Sequence, residues 1–135
     1  MKLIKEFILL VVIVLMPSVN AQNPSTSIKK KLNVTKAGTM IEQLTEEEAN
    51  LITDLEITGK INAIDFRHLR DEFKNLQTLD LSNVTISAYV GKSGTFPGDF
   101  YIYPPNCIPA YAFCQKNYDG TFKGKEKLKS SLSAQ

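Results

Sequence analysis

Few side chains in this chain have the type and spacing to do chemistry. The one histidine, His68, sits between Arg67 and Leu69 in a segment with helical periodicity. A general base needs a partner within hydrogen-bond reach, and no nucleophile stands beside it in sequence. His68 therefore reads as a surface or structural histidine. Cys107 and Cys114 are spaced C-x6-C, which fits no zinc-ligand pattern. In an exported chain they either remain thiols or close a small loop. Gly91 and Gly94 lie in a loop with no helix after them, so they form no phosphate cradle. No G-x-S-x-G or H-E-x-x-H segment occurs. The expectation is no catalytic residue, no metal and no cofactor.

The remaining polar candidates come from an internal echo. Ile52-Thr-Asp-Leu55-Glu-Ile57-Thr58-Gly59 returns 24 positions later as Leu76-Gln-Thr-Leu79-Asp-Leu81-Ser82-Asn83. A period in the twenties with L/I-x-x-L-x-L/I-S/T-G/N spacing is the pattern of a leucine-rich repeat. The expected fold class is α/β: a leucine-rich-repeat solenoid, with a short parallel sheet on one face and short helices and turns on the other. Alternation along each strand turns Leu55, Ile57, Leu79 and Leu81 inward. Asp54, Glu56 and Thr58 then face out beside Thr78, Asp80 and Ser82. Leu32 and Val34 lie 23 residues before Leu55 and Ile57. Pairing them in that register gives the outward rows Lys31–Asp54–Thr78, Asn33–Glu56–Asp80 and Thr35–Thr58–Ser82. The middle row puts two carboxylates about 4.8 Å apart. It reads as a solvated acidic stripe, as a patch for a basic partner or, least of the three, as a cation site.

Several elements must position these strands. Gly38 to Leu51 reads as one helix or as two short ones meeting near Thr45. Thr39 is a candidate N-cap, and Thr45-Glu-Glu-Glu48 a capping box. Met40, Ile41, Leu44 and Leu51 are expected to face inward. Gly59 and Asn83 are expected to turn the chain after each strand. Asp65 is the expected N-cap of a helix to Phe73, with Phe66, Leu69 and Phe73 on its apolar face. Residues 87–106 break the period and read as a long aromatic loop. Nine of the 12 Phe and Tyr residues fall between Tyr89 and Phe122. Tyr89, Phe96, Tyr101 and Tyr103 are its candidate binding residues, against the alternative that they pack over the open edge of the coil. Lys123, Lys125, Lys127 and Lys129 alternate, as a solvated tail or as a basic strand edge for an acidic partner. Without interleaved aromatics they offer no platform for nucleic acid.

The ends set the context. Lys2 and Lys5 precede the ten-residue apolar run Phe7 to Met16, which is short for a membrane span. Pro17 and Val19-Asn20-Ala21 follow, so residues 1–21 read as a secretory signal peptide. Its removal leaves 114 residues with a formal net charge of about +1. That balance gives no argument for nucleic acid or a membrane surface. Residues 22–31 read as a disordered linker, 32–130 as the repeat domain with an N-terminal cap and two to three repeats, and 131–135 as a tail. Asn33-Val34-Thr35 and Asn83-Val84-Thr85 match glycosylation sequons, which carry meaning only in a eukaryotic host.

Ile108-Pro109-Ala110-Tyr111-Ala112-Phe113 carries a more specific likeness. I-P-x-x-A-F, together with Leu55 to Arg70 and Leu76 to Ser82, resembles the BspA-like leucine-rich-repeat surface proteins of Bacteroides-type bacteria. The resemblance spans about residues 32–130. It implies an exported protein at the cell surface, in the periplasm or secreted, that binds a protein or glycan ligand in adhesion, with Phe113 structural. Lys127-Leu128-Lys129-Ser130-Ser131-Leu132 begins like a further repeat, but Ser131 stands where an apolar residue belongs. The chain is thus expected to be a truncated N-terminal piece, able to self-associate through an open last coil; a purely structural role is the alternative to binding. Cleavage is expected before Gln22, so N-terminal sequencing of the exported protein should begin there. A mature chain that keeps Met1 or Lys2 would overturn the export reading.

Overall fold

The computed structural model describes residues 26–98 and 100–129, an α/β arrangement built on a small parallel sheet. The expected signal peptide at residues 1–21, residues 22–25 of the expected linker and the expected tail at 131–135 lie outside the described residues. Strands β1 (Lys29–Val34), β2 (Asp54–Ile61) and β3 (Thr78–Ile86) form the sheet in the order β1-β2-β3. A 3-10 turn (Met40–Gln43) and helix α1 (Glu46–Leu51) connect β1 to β2, and helix α2 (Ala63–Asp71) connects β2 to β3. Two antiparallel hairpins follow: β4 (Tyr89–Gly91) with β5 (Tyr101–Tyr103), and β6 (Cys114–Lys116) with β7 (Phe122–Gly124).

Alternation makes the sheet two-faced. Leu32 and Val34, Leu55 and Ile57, and Leu79 and Leu81 are buried on its inner side. Met40, Ala49 and Ile52 cover them from the first connection, and Phe66, Leu69, Phe73 and Leu76 from the second. Each such side chain contributes roughly 1.5–3 kcal/mol by leaving water. Ile41, Leu44, Phe113 and Leu128 pack against this core while staying partly exposed.

The first strand starts earlier than the polar composition suggests. Lys29-Lys30-Lys31 is strand, not linker. Ahead of it, the Ser27 hydroxyl donates to Asp54 at 2.6 Å, and the Ile28 N–H donates to the Thr53 hydroxyl at 2.8 Å. Lysines suit an edge strand, where they discourage pairing with other chains.

Its register also differs. Lys29 lies opposite Asp54, Lys31 opposite Glu56, Leu32 opposite Ile57 and Asn33 opposite Thr58. The expected rows were two residues out, because a shift of two leaves every side chain on the same face. Hydrophobic alternation cannot distinguish such registers. Hydrogen bonds do: the Ile28 carbonyl accepts from Thr53 and Asp54 N–H at 3.0 and 3.1 Å. Between β2 and β3 an irregularity after Glu56 sets Thr58 opposite Asn83 rather than Ser82.

Gly59 and Asn83 do not end their strands; both lie within them. Gly59 has φ +95°, and a Cβ there would come within 2.2 Å of the Val34 carbonyl oxygen. The glycine permits close approach of β1, a different use of the same freedom.

The connection from Gly38 to Leu51 resolves into two short helices. The Thr45 hydroxyl accepts from the Glu48 N–H at 3.2 Å, and the Glu48 carboxylate accepts from the Thr45 N–H at 2.9 Å. That box starts α1 at Glu46, a phase that turns Ala49 and Ile52 inward and leaves Leu51 48% exposed. Thr39 stands before the 3-10 turn without capping it; its hydroxyl donates to the Lys36 carbonyl.

Asp65 is not the N-cap of α2. Asn62 is, its side chain accepting from the Ile64 N–H at 2.9 Å. Asp65 lies three residues further on and is fully buried. Its carboxylate accepts from the N–H groups of Asn62 at 2.9 Å, Gly38 at 2.6 Å and Met40 at 3.0 Å. Asp65→Ala would orphan donors from two connections, each at about 1–3 kcal/mol where buried. A loss of roughly 3 kcal/mol or more is expected by urea unfolding, clearly above that of Glu48→Ala on exposed α1. Equal losses at the two positions would refute the role given to Asp65.

Candidate functional site

The outer face of the sheet carries Glu56, Thr58, Asp80 and Ser82. Glu56 and Asp80 are neighbours across β2 and β3. With β1 in its actual register, however, the Lys31 Nζ sits 2.6 Å from the Glu56 carboxylate. The two adjacent carboxylates are therefore flanked by the lysines of β1. Asp80 accepts from the Ser82 hydroxyl at 2.7 Å and its N–H at 2.9 Å. Those two bonds hold its carboxyl below the usual aspartate value, with help from the Lys31 charge. Asp54 is likewise held low by hydroxyl donors from Ser27 and Thr53. The Thr58 hydroxyl bonds the Asn33 side chain at 3.3 Å. A shallow hollow of about 300 Å³ remains over Lys29, Lys31, Asp54 and Asp80. Its carboxylates are already engaged, Glu56 with Lys31, Asp54 with Ser27 and Thr53, and Asp80 with Ser82.

The segment 87–106 is not an irregular loop, because β4 and β5 pair within it. Its rings form one continuous ladder. Tyr89 lies 5.8 Å from Tyr103, Tyr103 lies 4.9 Å from Tyr101, and Tyr101 stacks on Phe96 at 4.5 Å. Phe96 then meets Tyr111 at 5.5 Å, which stacks on Phe122 at 5.5 Å. Tyr103 is only 3% exposed, and its hydroxyl accepts from the Phe96 N–H at 2.8 Å. A Cβ on Gly94 would fall 2.5 Å from that ring. Tyr103 is thus a packing residue, unavailable to a ligand. Tyr89 is half-buried, with its hydroxyl accepting from the Ser93 N–H. Of the four aromatic candidates, Tyr101 alone is exposed.

The alternation that buries Tyr103 exposes its neighbours. Val90 and Ile102 pair across β4 and β5 and are 54% and 67% exposed, with Phe100 also exposed. Sequence reasoning passed over Val90 and Ile102 because it weighed ring content and not the period-two faces of a hairpin.

Arg70 fastens this hairpin to α2. Its Nη1 donates to the Thr95 carbonyl at 2.9 Å and the Tyr111 carbonyl at 3.1 Å. Its other face pairs with both Asp71 oxygens, at 2.7 and 3.0 Å. Burial pushes the Asp71 carboxyl up, but hydrogen bonds from Arg70 and Gln115 outweigh it, and the group sits below its usual value. The Thr95 hydroxyl adds a bond to the Ala110 carbonyl at 2.5 Å. In the I-P-x-x-A-F segment, Ala112 is buried and Phe113 meets Phe66 edge-on at 6.1 Å. No sequence signal marks Arg70, since its partners are main-chain carbonyls far along the chain.

The other chemical candidates are placed as follows. His68 Nδ1 bonds the Glu72 carboxylate one helical turn on. Cys107 and Cys114 are thiols, not a disulfide. Among the described residues, no group of three or more His, Cys, Asp or Glu side chains is placed to hold a metal. No helix among them is long and apolar enough to cross a membrane.

The alternating lysines are not a simple solvated tail. The Lys125 Nζ donates to the Arg70 carbonyl at 3.2 Å, Lys127 bonds the Asn75 side chain at 2.5 Å, and Lys123 lies 3.7 Å from Glu126. The Lys129 N–H reaches the Gln77 carbonyl at 2.8 Å.

No protein-family model and no curated protein sequence matches this chain.

Burial lowers the Lys125 ammonium from 10.5 to about 8, with the Asp71 charge opposing. Between those values the unfolded chain keeps a proton that the folded chain has released. Stability should therefore rise with pH across that window, and the full cost of burying the charge is felt below it. Urea titrations through the window should show this rise, and Lys125→Met should flatten it. Identical pH profiles for the two proteins would refute the shift.

Proposed function

We propose that this chain is an exported, non-catalytic interaction module of leucine-rich-repeat type, akin to the BspA-like surface proteins. The parallel sheet supports the solenoid reading, with Leu55, Ile57, Leu79 and Leu81 buried at a 24-residue spacing. The single observation that carries the binding reading is the β4–β5 hairpin. Its inner rings, Tyr101 among them, are locked by stacking and by Arg70, yet Val90, Phe100 and Ile102 are exposed. Exposed apolar side chains grouped on an ordered element mark interaction surfaces, and a rigid one loses little entropy on binding. A protein at a cell surface is the ligand that best suits this mixture of aliphatic and aromatic groups. The outer sheet face, with Glu56, Thr58, Asp80 and Ser82, is a weaker second surface because its polar groups are engaged with each other.

The test is binding of the purified chain to intact host and neighbouring bacterial cells, before and after protease treatment of those cells. Protease is expected to abolish binding. Ile102→Ser with Val90→Ser should weaken it while the melting temperature stays nearly unchanged. Tyr103→Ala should instead cost about 3–5 kcal/mol of stability, as truncated core aromatics do. Protease-resistant binding would favour a glycan ligand. Unaltered binding by the double variant would remove the hairpin from the interface.

A further inference from the structure

Helix α2, the segment after β4 and strand β6 meet around a hollow of about 370 Å³. Each delivers a cation to its lining: Arg67 from α2, Lys92 from just after β4, and Lys116 from the end of β6. No carboxylate lines it among the described residues. Arg70 also borders it, but its charge is spent on the two Asp71 oxygens. Arg67, Lys92 and Lys116 belong to no ion pair among the described residues. Arg67 only adds its charge to the groups that lower the Asp71 carboxyl. Like charges gathered without an acid repel one another, so this cluster does not stabilise the fold. Tyr111 also lines the hollow, its backbone held at φ 61°, a region that residues with a Cβ seldom adopt. The bond from Arg70 to its carbonyl and its stacking on Phe122 keep it there. Strained backbone fixed in this way by its surroundings clusters at ligand sites.

We propose that this hollow binds a sulfate or phosphate ester, with Arg67, Lys92 and Lys116 around its terminal oxygens. The arrangement suits a tetrahedral group. Three cations arriving from three elements match three terminal oxygens. A carboxylate has two oxygens in one plane and is met best by a single guanidinium fork. Arg67 can take two ester oxygens at once, while the lysines act as point charges. The volume lies near the lower end for ligand pockets, about 300–1,000 Å³, and so fits a small ester better than a long polyanion. The hollow includes neither Val90 nor Ile102 and is independent of the cell-binding hairpin face.

Isothermal titration calorimetry of the purified chain would use four probes on one sugar: glucose 6-sulfate, glucose 6-phosphate, glucuronate and glucose. At least one ester is expected to bind saturably at low salt and to weaken as salt rises. The tighter of the two esters identifies whether the ligand is sulfated or phosphorylated. Glucuronate should bind about tenfold more weakly than that ester or worse, and glucose not at all. Lys92 and Lys116 are exposed. Lys92→Gln with Lys116→Gln should therefore leave the melting temperature unchanged and reduce ester affinity about tenfold or more. Lys36→Gln with Lys60→Gln removes the same charge from exposed positions outside the hollow and should leave ester binding intact. No saturable ester binding at low salt, glucuronate binding as tight as the better ester, or equal losses in the two double variants would each overturn the proposal.

Discussion

One buried carboxylate holds the connections of this fold at a fixed height above the sheet. Asp65 accepts from Gly38 and Met40, just after β1, and from Asn62, at the end of β2. A buried carboxylate without donors is very costly, so this side chain is compatible with one arrangement only, in which both connections converge on it. The site also lies in the first turn of α2, where a helix favours negative charge. Gly38 adopts φ +87° there, and a Cβ would press within 3.3 Å of the Asn62 side chain. The loop after β1, the end of β2 and the start of α2 are thereby tied at one point. That tie limits how far β1 can slide along β2, which the apolar pattern leaves open.

The same distinction explains what could be read from the sequence. Leu55, Ile57, Leu79 and Leu81, and the Phe66–Leu69–Phe73 face, were legible because burial repeats with the period of the element. The β1 register was not legible, because a two-residue slide preserves that period. Asp65 was misassigned although Asn62-x-x-Asp65 already has the spacing of a capping box; the apolar residues between them obscured the earlier cap. Gly59 and Asn83 resembled turn residues by composition. Their actual use depends on how closely the neighbouring backbone approaches, and one strand read alone contains no such information. In the aromatic segment the fault lay in treating ring content as exposure. A three-residue strand offers too short an alternation to reveal that Tyr103 turns in and Ile102 out.

The candidate surfaces are legible only through long-range contacts. Arg70 donates through its guanidinium to the hairpin segment at Thr95 and to Tyr111, and accepts through its carbonyl from Lys125. Carbonyls in the last turn of a helix lack helical partners, and cations complement that end. Lys125 meets this need on one side of the residue while the side chain serves the other. A Lys in place of Arg70 would lose the planar fork that reaches two carbonyls and both Asp71 oxygens together.

Helix α2 therefore divides its work between its ends. Its first turn, through Asn62 and Asp65, joins the connections that close the core. Its last turn, through Arg70 and Asp71, fastens both hairpins that follow the sheet. Between them Phe66 and Leu69 are buried, so the two ends move as one body with the core. A helix of nine residues is too short to be stable alone in water; its order comes from this packing. The exposed hairpin face is fastened to this helix through Arg70, although it contributes no strand to the parallel sheet. Loosening the Asp65 end of α2 is therefore expected to be felt at the Arg70 end.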